Sequence, residues 1–142
     1  MNLFRFIIPK SLVEYITVDS TVRQGFEKMR FHRYVAIPVL DADGKYVAML
    51  RNDDVLEYFI SAESVDMKIA EKVQVGDIVD PSYTRPLYHN ATMQELFETV
   101  KEHNSVPVVD DRGCFIGIVL RRDVMNFLLR HYDSQERESK HV

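Results

Sequence analysis

The sequence predicts an α/β fold, of the α+β kind, in which two pseudo-symmetric β-α-β-β-α halves pack sheet to sheet. Two observations predict it: the chain contains an internal repeat, and each copy of the repeat alternates helix-type and strand-type patterns of apolar residues. The copies "IPVLDADGKYVAMLRNDDV" (37–55) and "VPVVDDRGCFIGIVLRRDV" (106–124) match at a constant offset of 69 positions. Neither half contains enough apolar surface to be stable alone, so we expect the two to pack against each other.

Each copy is predicted to open with a short strand and a helix. Thr21 and Thr92 each begin a T-x-x-Q/E capping box, which is typical of a helix start. Apolar residues then recur at i, i+4 and i+7, as Val22, Phe26 and Met29 in the first copy. In this region the offset between the copies is 71, so the first copy has two additional residues before its proline.

Two strands and a second helix complete each copy. The runs "AIPVL" and "VPVV" predict one strand of a hairpin, a turn with Asp-Gly or Arg-Gly follows, and "KYVAML" or "CFIGIVL" predicts the other strand. The runs "DDVLEYFI" and "RDVMNFLL" predict helices with Asp54 or Asp123 in the first turn. We therefore expect repeat 1 over 7–62, a connector helix and turn over 63–80, repeat 2 over 81–130, and a charged tail over 133–142 that forms either a frayed helix or a disordered segment.

Composition and charge exclude several classes of protein. The net charge of −4 and the pI of about 5.7 lack the basic character of a nucleic-acid surface. No apolar run reaches the ~18–20 residues that span a bilayer, and the opening segment lacks the cleavage site of a signal peptide. The single cysteine, Cys114, excludes an internal disulfide and fits a reducing compartment. The sequence thus predicts a cytoplasmic protein that binds neither nucleic acid nor membrane.

No combination of residues predicts catalysis or metal binding. The sequence does not assemble a nucleophile, a base and an oxyanion donor, and it contains no Walker, G-x-G-x-x-G or G-x-S-x-G sequence. His32 and His103 recur in the two copies, but neither has a His, Cys or carboxylate at i+3 or i+4. We therefore expect a protein that is not an enzyme and that requires no cofactor.

The repeated motifs resemble a tandem pair of CBS domains, the cystathionine β-synthase type repeat whose pair is called a Bateman module. The resemblance rests on "IPVLDADGKYVAML" and "VPVVDDRGCFIGIVL", each followed by an aspartate at a helix start, and it covers about Ile7 to Phe127. The opening segment also looks like the start of small stand-alone bacterial CBS pairs. The resemblance implies two clefts between the repeats that bind AMP, ADP, ATP or cyclic di-AMP.

The resemblance also implies which residues line each cleft. One repeat is expected to supply its first strand and the segment around its proline, and the other repeat the aspartate at its second helix. The residues implied are Tyr15, Ile16, Thr17, Val35, Ala36, Ile37, Pro38 and Asp123 for the first cleft, and Pro86, Leu87, Tyr88, Asn104, Ser105, Val106, Pro107 and Asp54 for the second.

These residue types suit the three parts of an adenosine nucleotide. Backbone edges in the two strand segments can hydrogen-bond the base, while apolar side chains enclose it. A carboxylate can accept from both ribose hydroxyls, in charge-assisted bonds of about 1.5–3 kcal/mol each. The phosphate is expected near the start of the second helix, where Arg51, Arg121 and Arg122 supply positive charge.

The chain departs from the family's nucleotide-binding pattern at four positions. Nucleotide-binding members usually carry Ser or Thr three residues before the aspartate, where this chain has Arg51 and Leu120, and Tyr15 and Pro86 replace a small polar residue. Two functions therefore stay open: a regulatory module that binds a nucleotide and signals to an unidentified protein partner, or a ligand-free module for dimerisation and docking. The resemblance also implies a homodimer, and the apolar faces around "DVLEYFI" and "DVMNFLL" are candidate surfaces for that contact.

Overall fold

A computed structural model describes residues 2–140 and confirms the predicted fold of two β-α-β-β-α repeats with two sheets. In chain order the elements are β1 (Ile8–Pro9), β2 (Ile16–Thr17), α1 (Val22–His32), β3 (Ala36–Leu40), β4 (Tyr46–Arg51), α2 (Asn52–Ser61), α3 (Met67–Ala70), β5 (Leu87–Tyr88), α4 (Met93–Val100), β6 (Ser105–Val109), β7 (Phe115–Leu120) and α5 (Arg121–Lys140). Residues 133–140 of the predicted tail continue helix α5, and the rest of that tail lies outside the described residues. None of the helices described over 2–140 is long and apolar enough to cross a bilayer.

Both predicted capping boxes are confirmed. The Thr21 hydroxyl accepts from the backbone N–H of Gln24 at 3.1 Å, and the Gln24 side chain accepts from the backbone N–H of Thr21 at 2.9 Å. Thr92 and Glu95 make the same reciprocal pair at the start of α4. Each box satisfies N–H groups that have no partner inside the helix, so the two helices begin at equivalent places.

The N-terminal strand crosses from repeat 1 to the sheet of repeat 2. Repeat 1 forms a three-stranded sheet in the order β2-β3-β4, whereas repeat 2 forms a four-stranded sheet in the order β1-β7-β6-β5. Strand β1 lies antiparallel to β7, with Pro9 opposite Gly117. A Cβ atom at Gly117 would clash with the carbonyl oxygen of Ile8, so glycine is needed for this approach, whereas its counterpart in repeat 1 is Ala48.

Each repeat buries its own apolar core between its sheet and its helices. In repeat 1 the core is formed by Ile16, Met29, Ile37, Val39, Leu50, Val55 and Val75. The corresponding core of repeat 2 also takes in two residues of the N-terminal segment, Leu3 and Phe6. The start of the chain therefore stabilises its second half, in agreement with the pairing of β1.

The hairpin turns of the two repeats have the same construction. The Asp41 carboxylate accepts from the backbone N–H groups of residues 43 and 45, both at 2.9 Å, and Asp110 accepts from those of residues 112 and 114 at the same distance. Gly44 and Gly113 then adopt positive φ angles of 82° and 84°. A side chain would make this backbone conformation costly, which explains the glycine in each turn.

The two turns meet across a pseudo-two-fold axis. The backbone N–H of Tyr46 donates to the carbonyl of Gly113 at 3.1 Å, and the N–H of Phe115 donates to the carbonyl of Gly44 at 3.0 Å. The four residues exchange at the offset of 69, so the contact is symmetric. It joins the two hairpins and fixes the orientation of one repeat against the other.

A side-chain hydrogen bond makes a second link between the repeats. The Tyr46 hydroxyl donates to the backbone carbonyl of Thr84 at 2.6 Å, and Thr84 is buried. Burial raises the pKa of Tyr46 far above its ordinary value. The hydroxyl therefore keeps its proton and remains a donor at all physiological pH values.

We expect Tyr46→Phe to lower the free energy of unfolding by about 1–3 kcal/mol, because the buried carbonyl of Thr84 loses this donor. Urea denaturation measures the change. Tyr58→Phe is the matched control, since the Tyr58 hydroxyl is buried without a hydrogen-bond partner among residues 2–140, and its removal should not destabilise the protein. Equal losses in the two variants would contradict the proposed link.

Candidate functional site

Two cavities lie between the repeats. Cavity A has a volume of about 480 Å³ and cavity B a volume of about 320 Å³. Both are lined by the segments that precede the two repeated prolines and by Met49 of β4. The cavities therefore share a wall formed by Val35, Ala36, Met49, Asn104 and Ser105. The space between the repeats is therefore one crevice with two compartments.

Backbone hydrogen bonds direct both helix openings toward this crevice. The N–H of Asn52, at the start of α2, donates to the carbonyl of Val35 at 3.1 Å. At the start of α5 the N–H of Arg121 donates to the carbonyl of Asn104 at 2.9 Å. Each second helix thus begins beside the segment that precedes the proline of its own repeat.

Cavity A has a polar wall with contributions from both repeats. The shared wall is completed by the α2 start, by the segment before β5, and by the end of α4 with the start of α5. The additional residues are Arg51, Asn52, Asp53, Tyr83, Thr84, Glu102, His103 and Arg121.

Arg51 connects the start of α2 to repeat 2 at the wall of cavity A. Its Nη2 donates to a carboxylate oxygen of Asp54 at 2.8 Å, and its backbone N–H donates to the other oxygen at 2.9 Å. The guanidinium carbon lies 3.6 Å from the ring centroid of Tyr83, a cation–π contact across the repeats. Partial burial acts to lower the pKa of Arg51, but Asp54 and Tyr83 raise it above its ordinary value, and the side chain stays positively charged.

Arg121 holds a second positive charge at the same cavity. Its Nε donates to the carbonyl of Val100 at 2.6 Å, and its Nη2 donates to the carbonyl of Lys101 at 3.3 Å. Both carbonyls belong to the C-terminal end of α4, where the helix dipole favours a cation. The side chain is therefore positioned by α4 as well as by its own helix.

His103 lies in the same wall, with its ring edge-on to Tyr83 at a centroid distance of 5.5 Å. Burial lowers the pKa of His103; the charge of Glu102 opposes this effect, and the charges of Arg121 and Arg51 add to it. The imidazole is therefore neutral at pH 7.

We expect the free energy of unfolding to decrease as the pH falls below about 6.5, the ordinary histidine pKa. The folded state has the lower pKa, so the unfolded state binds more protons and acid favours unfolding. His103→Gln should reduce this pH dependence, whereas His131→Gln, on an exposed part of α5, should retain it. Urea denaturation at several pH values measures both, and an identical slope for His103→Gln and the wild type would contradict the expectation.

Cavity B is mainly apolar. Beyond the shared wall it is lined by Ile8, Leu12, Val13, Glu14, Arg33, Tyr34, Pro38, Ile118 and Leu120. Glu14 forms an ion pair with Lys28 at 3.1 Å, so the charge of this carboxylate is already partly balanced. The crevice is thus polar at one end and apolar at the other.

The structure places seven of the predicted site residues on the walls of the two cavities. Val35 and Ala36 line both, as do Asn104 and Ser105. In addition, Pro38 lines cavity B, and Arg51 and Arg121 line cavity A.

Other predicted residues lie away from the crevice, in small surface cavities or on the surface. Tyr15 and Thr17 line a cavity at the turn of the first hairpin, and Pro86 and Leu87 line another beside α4. Tyr88 and Arg122 are exposed. The remaining residues Ile16, Ile37, Val106 and Pro107 are buried and line neither cavity.

The two predicted aspartates also lie outside the walls of cavities A and B. Asp54 is 7% exposed and both of its carboxylate oxygens accept from Arg51. Asp123 lines a separate cavity of about 340 Å³ together with Arg5, Asn126 and Arg130. Asp54 thus acts on cavity A through Arg51, whereas Asp123 faces a pocket beneath the N-terminal segment.

Strand register explains why β2 and β5, the strands predicted to open the two repeats, do not reach the crevice. Ile16 and Thr17 pair with Val39 and Leu40, which form the end of β3 that is farther from Val35. The crevice is reached instead by the residues that precede each first strand, namely Leu12, Val13 and Glu14 in repeat 1, and Tyr83 and Thr84 in repeat 2. The offset of 71 relates Leu12 to Tyr83 and Val13 to Thr84. This correspondence is the sequence signal that could have indicated equivalent places for the two segments.

The chain belongs to the CBS domain family. The model of this family, described as "CBS domain", matches residues 8–61 and 75–130.

Curated relatives include the cyclic di-AMP receptor B of Bacillus subtilis (strain 168), which is 23% identical over 130 residues. That alignment covers 92% of this chain and 88% of the receptor. A methylated protein of Methanocaldococcus jannaschii is 33% identical over 69 residues, which cover 45% of this chain. The chain spans only 38% of that archaeal protein.

Solved structures of CBS-domain proteins share the fold. CbpB in complex with c-di-AMP matches with a TM-score of 0.81 at 20% identity, covering 95% of this chain and 91% of that one. CBSX2 in complex with AMP matches with a TM-score of 0.73 at 20% identity, and the match covers 92% of this chain and 98% of that one.

Proposed function

We propose that the protein is a non-catalytic regulatory module that binds an adenine nucleotide in the crevice between its two CBS repeats. The proposed ligands are AMP, ADP, ATP or cyclic di-AMP, and occupancy is passed to a protein partner. The observation that carries the proposal is the crevice itself, whose shared wall is built from the pre-proline segments of both repeats. Support comes from the neighbouring structures, one in complex with c-di-AMP and one with AMP.

The walls of the crevice offer suitable groups for each part of such a ligand. Val35 and Met49 provide apolar surface for a base, and Asn104 and Ser105 provide polar groups beside it. The charge of Arg51 suits a phosphate group. A cavity of about 480 Å³ falls within the range of about 300–1,000 Å³ that is usual for small-molecule sites.

Asp54 and Asp123, the two aspartates predicted to accept hydrogen bonds from the ribose, have other roles in this proposal. Asp54 holds Arg51 with both carboxylate oxygens, so its role is to position that side chain. Among the carboxylates that line cavity A, that of Asp53 lies at the start of α2, where it is exposed and available to accept from ribose hydroxyls. Asp123 contributes to the pocket beneath the N-terminal segment.

Binding at this place would act on the arrangement of the two repeats. A ligand in cavity A touches the α2 start of repeat 1 and the Tyr83 segment of repeat 2, and it therefore favours the arrangement in which the two are in contact. The effect on a partner follows from this shift in population. The size of the shift is set by the difference in affinity between the two arrangements.

A second candidate function is a ligand-free docking module, and the exposed apolar faces of α2 and α5 favour it. Leu56 and Ile60 are exposed on α2, and Met125 and Leu129 are exposed at the same positions of α5. Such faces are typical of protein contacts. We propose that they form a homodimer interface under either function.

We expect AMP, ADP, ATP or cyclic di-AMP to raise the melting temperature, because a ligand selective for the folded state stabilises it by about 2.7 kcal/mol at 100 times its Kd. Differential scanning fluorimetry measures the shift, with inorganic phosphate and GMP as controls for the charge and the base. If all four adenine nucleotides leave the melting curve unchanged at millimolar concentration, the nucleotide-binding proposal is wrong. A stable dimer in light scattering would then favour the docking module.

A further inference from the structure

We infer that the two compartments of the crevice are not equivalent, and that a phosphate-bearing adenine nucleotide binds in cavity A alone, one per chain, with its phosphate on Arg51 and Arg121. This inference rests on the proposed function and deepens it by assigning the ligand to one compartment. It also fixes the stoichiometry, which pseudo-symmetry alone would set at two per chain.

The helix starts and hairpin turns at the crevice are symmetric, so the two compartments are compared by their side chains. The helix-start hydrogen bonds of Asn52 and Arg121 are equivalent, and the turns pair through equivalent residues. Both compartments use the same five residues as a common wall. Beyond this wall, the offsets of the repeat relate three residues of cavity A to residues of cavity B, and these pairs can be compared directly.

That comparison separates a charged compartment from an apolar one. Arg51 in cavity A corresponds to Leu120 in cavity B at the offset of 69. Tyr83 in cavity A corresponds to Leu12 in cavity B at the offset of 71. Each replacement removes a group that could bind a phosphate or stack on a base, so cavity B is unsuited to a charged nucleotide.

The charged residues of cavity A reinforce this difference between the two compartments. Arg51 and Arg121 line cavity A, and both are held in place by hydrogen bonds, one to Asp54 and the other to the end of α4. The acidic groups in the same cavity, Asp53 and Glu102, are exposed to solvent, which screens them. An anion in cavity A therefore meets two fixed positive charges.

Cavity B presents an anion with a less favourable set of charges. Its charged residues are Glu14 and Arg33, and no second cation lines it among residues 2–140. Among the residues that line cavity B, Leu120 is the one that directly precedes helix α5, and its side chain is uncharged. A phosphate placed beside Leu120 would lose water without gaining a side-chain donor at that position.

The side chain of Arg51 is preorganised for binding by its contacts with neighbouring residues. Asp54 and the Tyr83 ring already restrict the guanidinium, so little further entropy is lost when it binds a ligand. Only one of the five guanidinium N–H donors is needed for the bond to Asp54. The others can serve an oxyanion in the cavity.

Isothermal titration calorimetry of the full chain with AMP and, separately, with cyclic di-AMP tests the inference. We expect one AMP per chain. A pair of matched variants locates the site: Tyr83→Glu and Leu12→Glu place the same charge at equivalent, exposed positions, 50% and 75% exposed, at the two compartments. Tyr83→Glu should weaken binding at least tenfold, and Leu12→Glu should leave the affinity unchanged.

A third variant, Arg51→Leu, gives repeat 1 the residue that repeat 2 already has, and we expect at least a tenfold loss of affinity. Because it leaves Asp54 buried without its partner, its folding is checked by urea denaturation, and the exposed pair above carries the test if it fails to fold. Two AMP molecules per chain, or an equal loss in Leu12→Glu and Tyr83→Glu, would overturn this inference while leaving the proposed function intact. Absence of binding by AMP and cyclic di-AMP, and by ADP and ATP in the same titration of the wild type, would overturn both.

Discussion

The arrangement of the crevice between the repeats rests on two backbone hydrogen bonds between the hairpin turns. The N–H groups of Tyr46 and Phe115 donate to the carbonyls of Gly113 and Gly44, and the exchange is symmetric. Positive φ angles at the two glycines direct these carbonyls toward the opposite hairpin, which other residues would do only at a cost. The relation of one repeat to the other, and with it the space between their helix starts, follows from this contact.

Duplication supplies a symmetric backbone, and substitution then separates the roles of the two halves. Gly117 admits the N-terminal strand beside β7, whereas Ala48 stands at the equivalent position of repeat 1. Arg51 and Leu120 differ in the same way at the two helix starts. A symmetric pair of compartments can in this manner become one binding site and one apolar surface without any change in fold.

Local patterns in the sequence were sufficient for the elements of each repeat. The capping boxes at Thr21 and Thr92, the hairpins and the second helices are all determined by residues within a few positions of one another. The crossing of β1 to the other sheet was not predictable, because a two-residue strand has no periodicity and its partner is remote in sequence. Likewise α5 extends through a charged segment by local contacts such as that between Tyr132 and Glu136, where composition alone indicated fraying or disorder.

The candidate site was only partly predictable for a related reason. Residues 35–36 and 104–105 could be placed beside the crevice from the sequence, because they flank repeated prolines in recognisable strands. Tyr83 and Thr84 belong to an irregular segment, and only the strand register shows that they, and not Leu87, reach it. The burial of Asp54 beside Arg51 was equally unpredictable, because it depends on a tertiary contact between Arg51 and the ring of Tyr83.

A crystal structure of the chain with bound AMP is the most direct test of the account, since it locates the ligand without reference to any variant. The account predicts electron density for the nucleotide in the crevice between the repeats, with its phosphate beside Arg51. Density in the pocket formed by Arg5, Asp123 and Arg130, with an empty crevice, would contradict it.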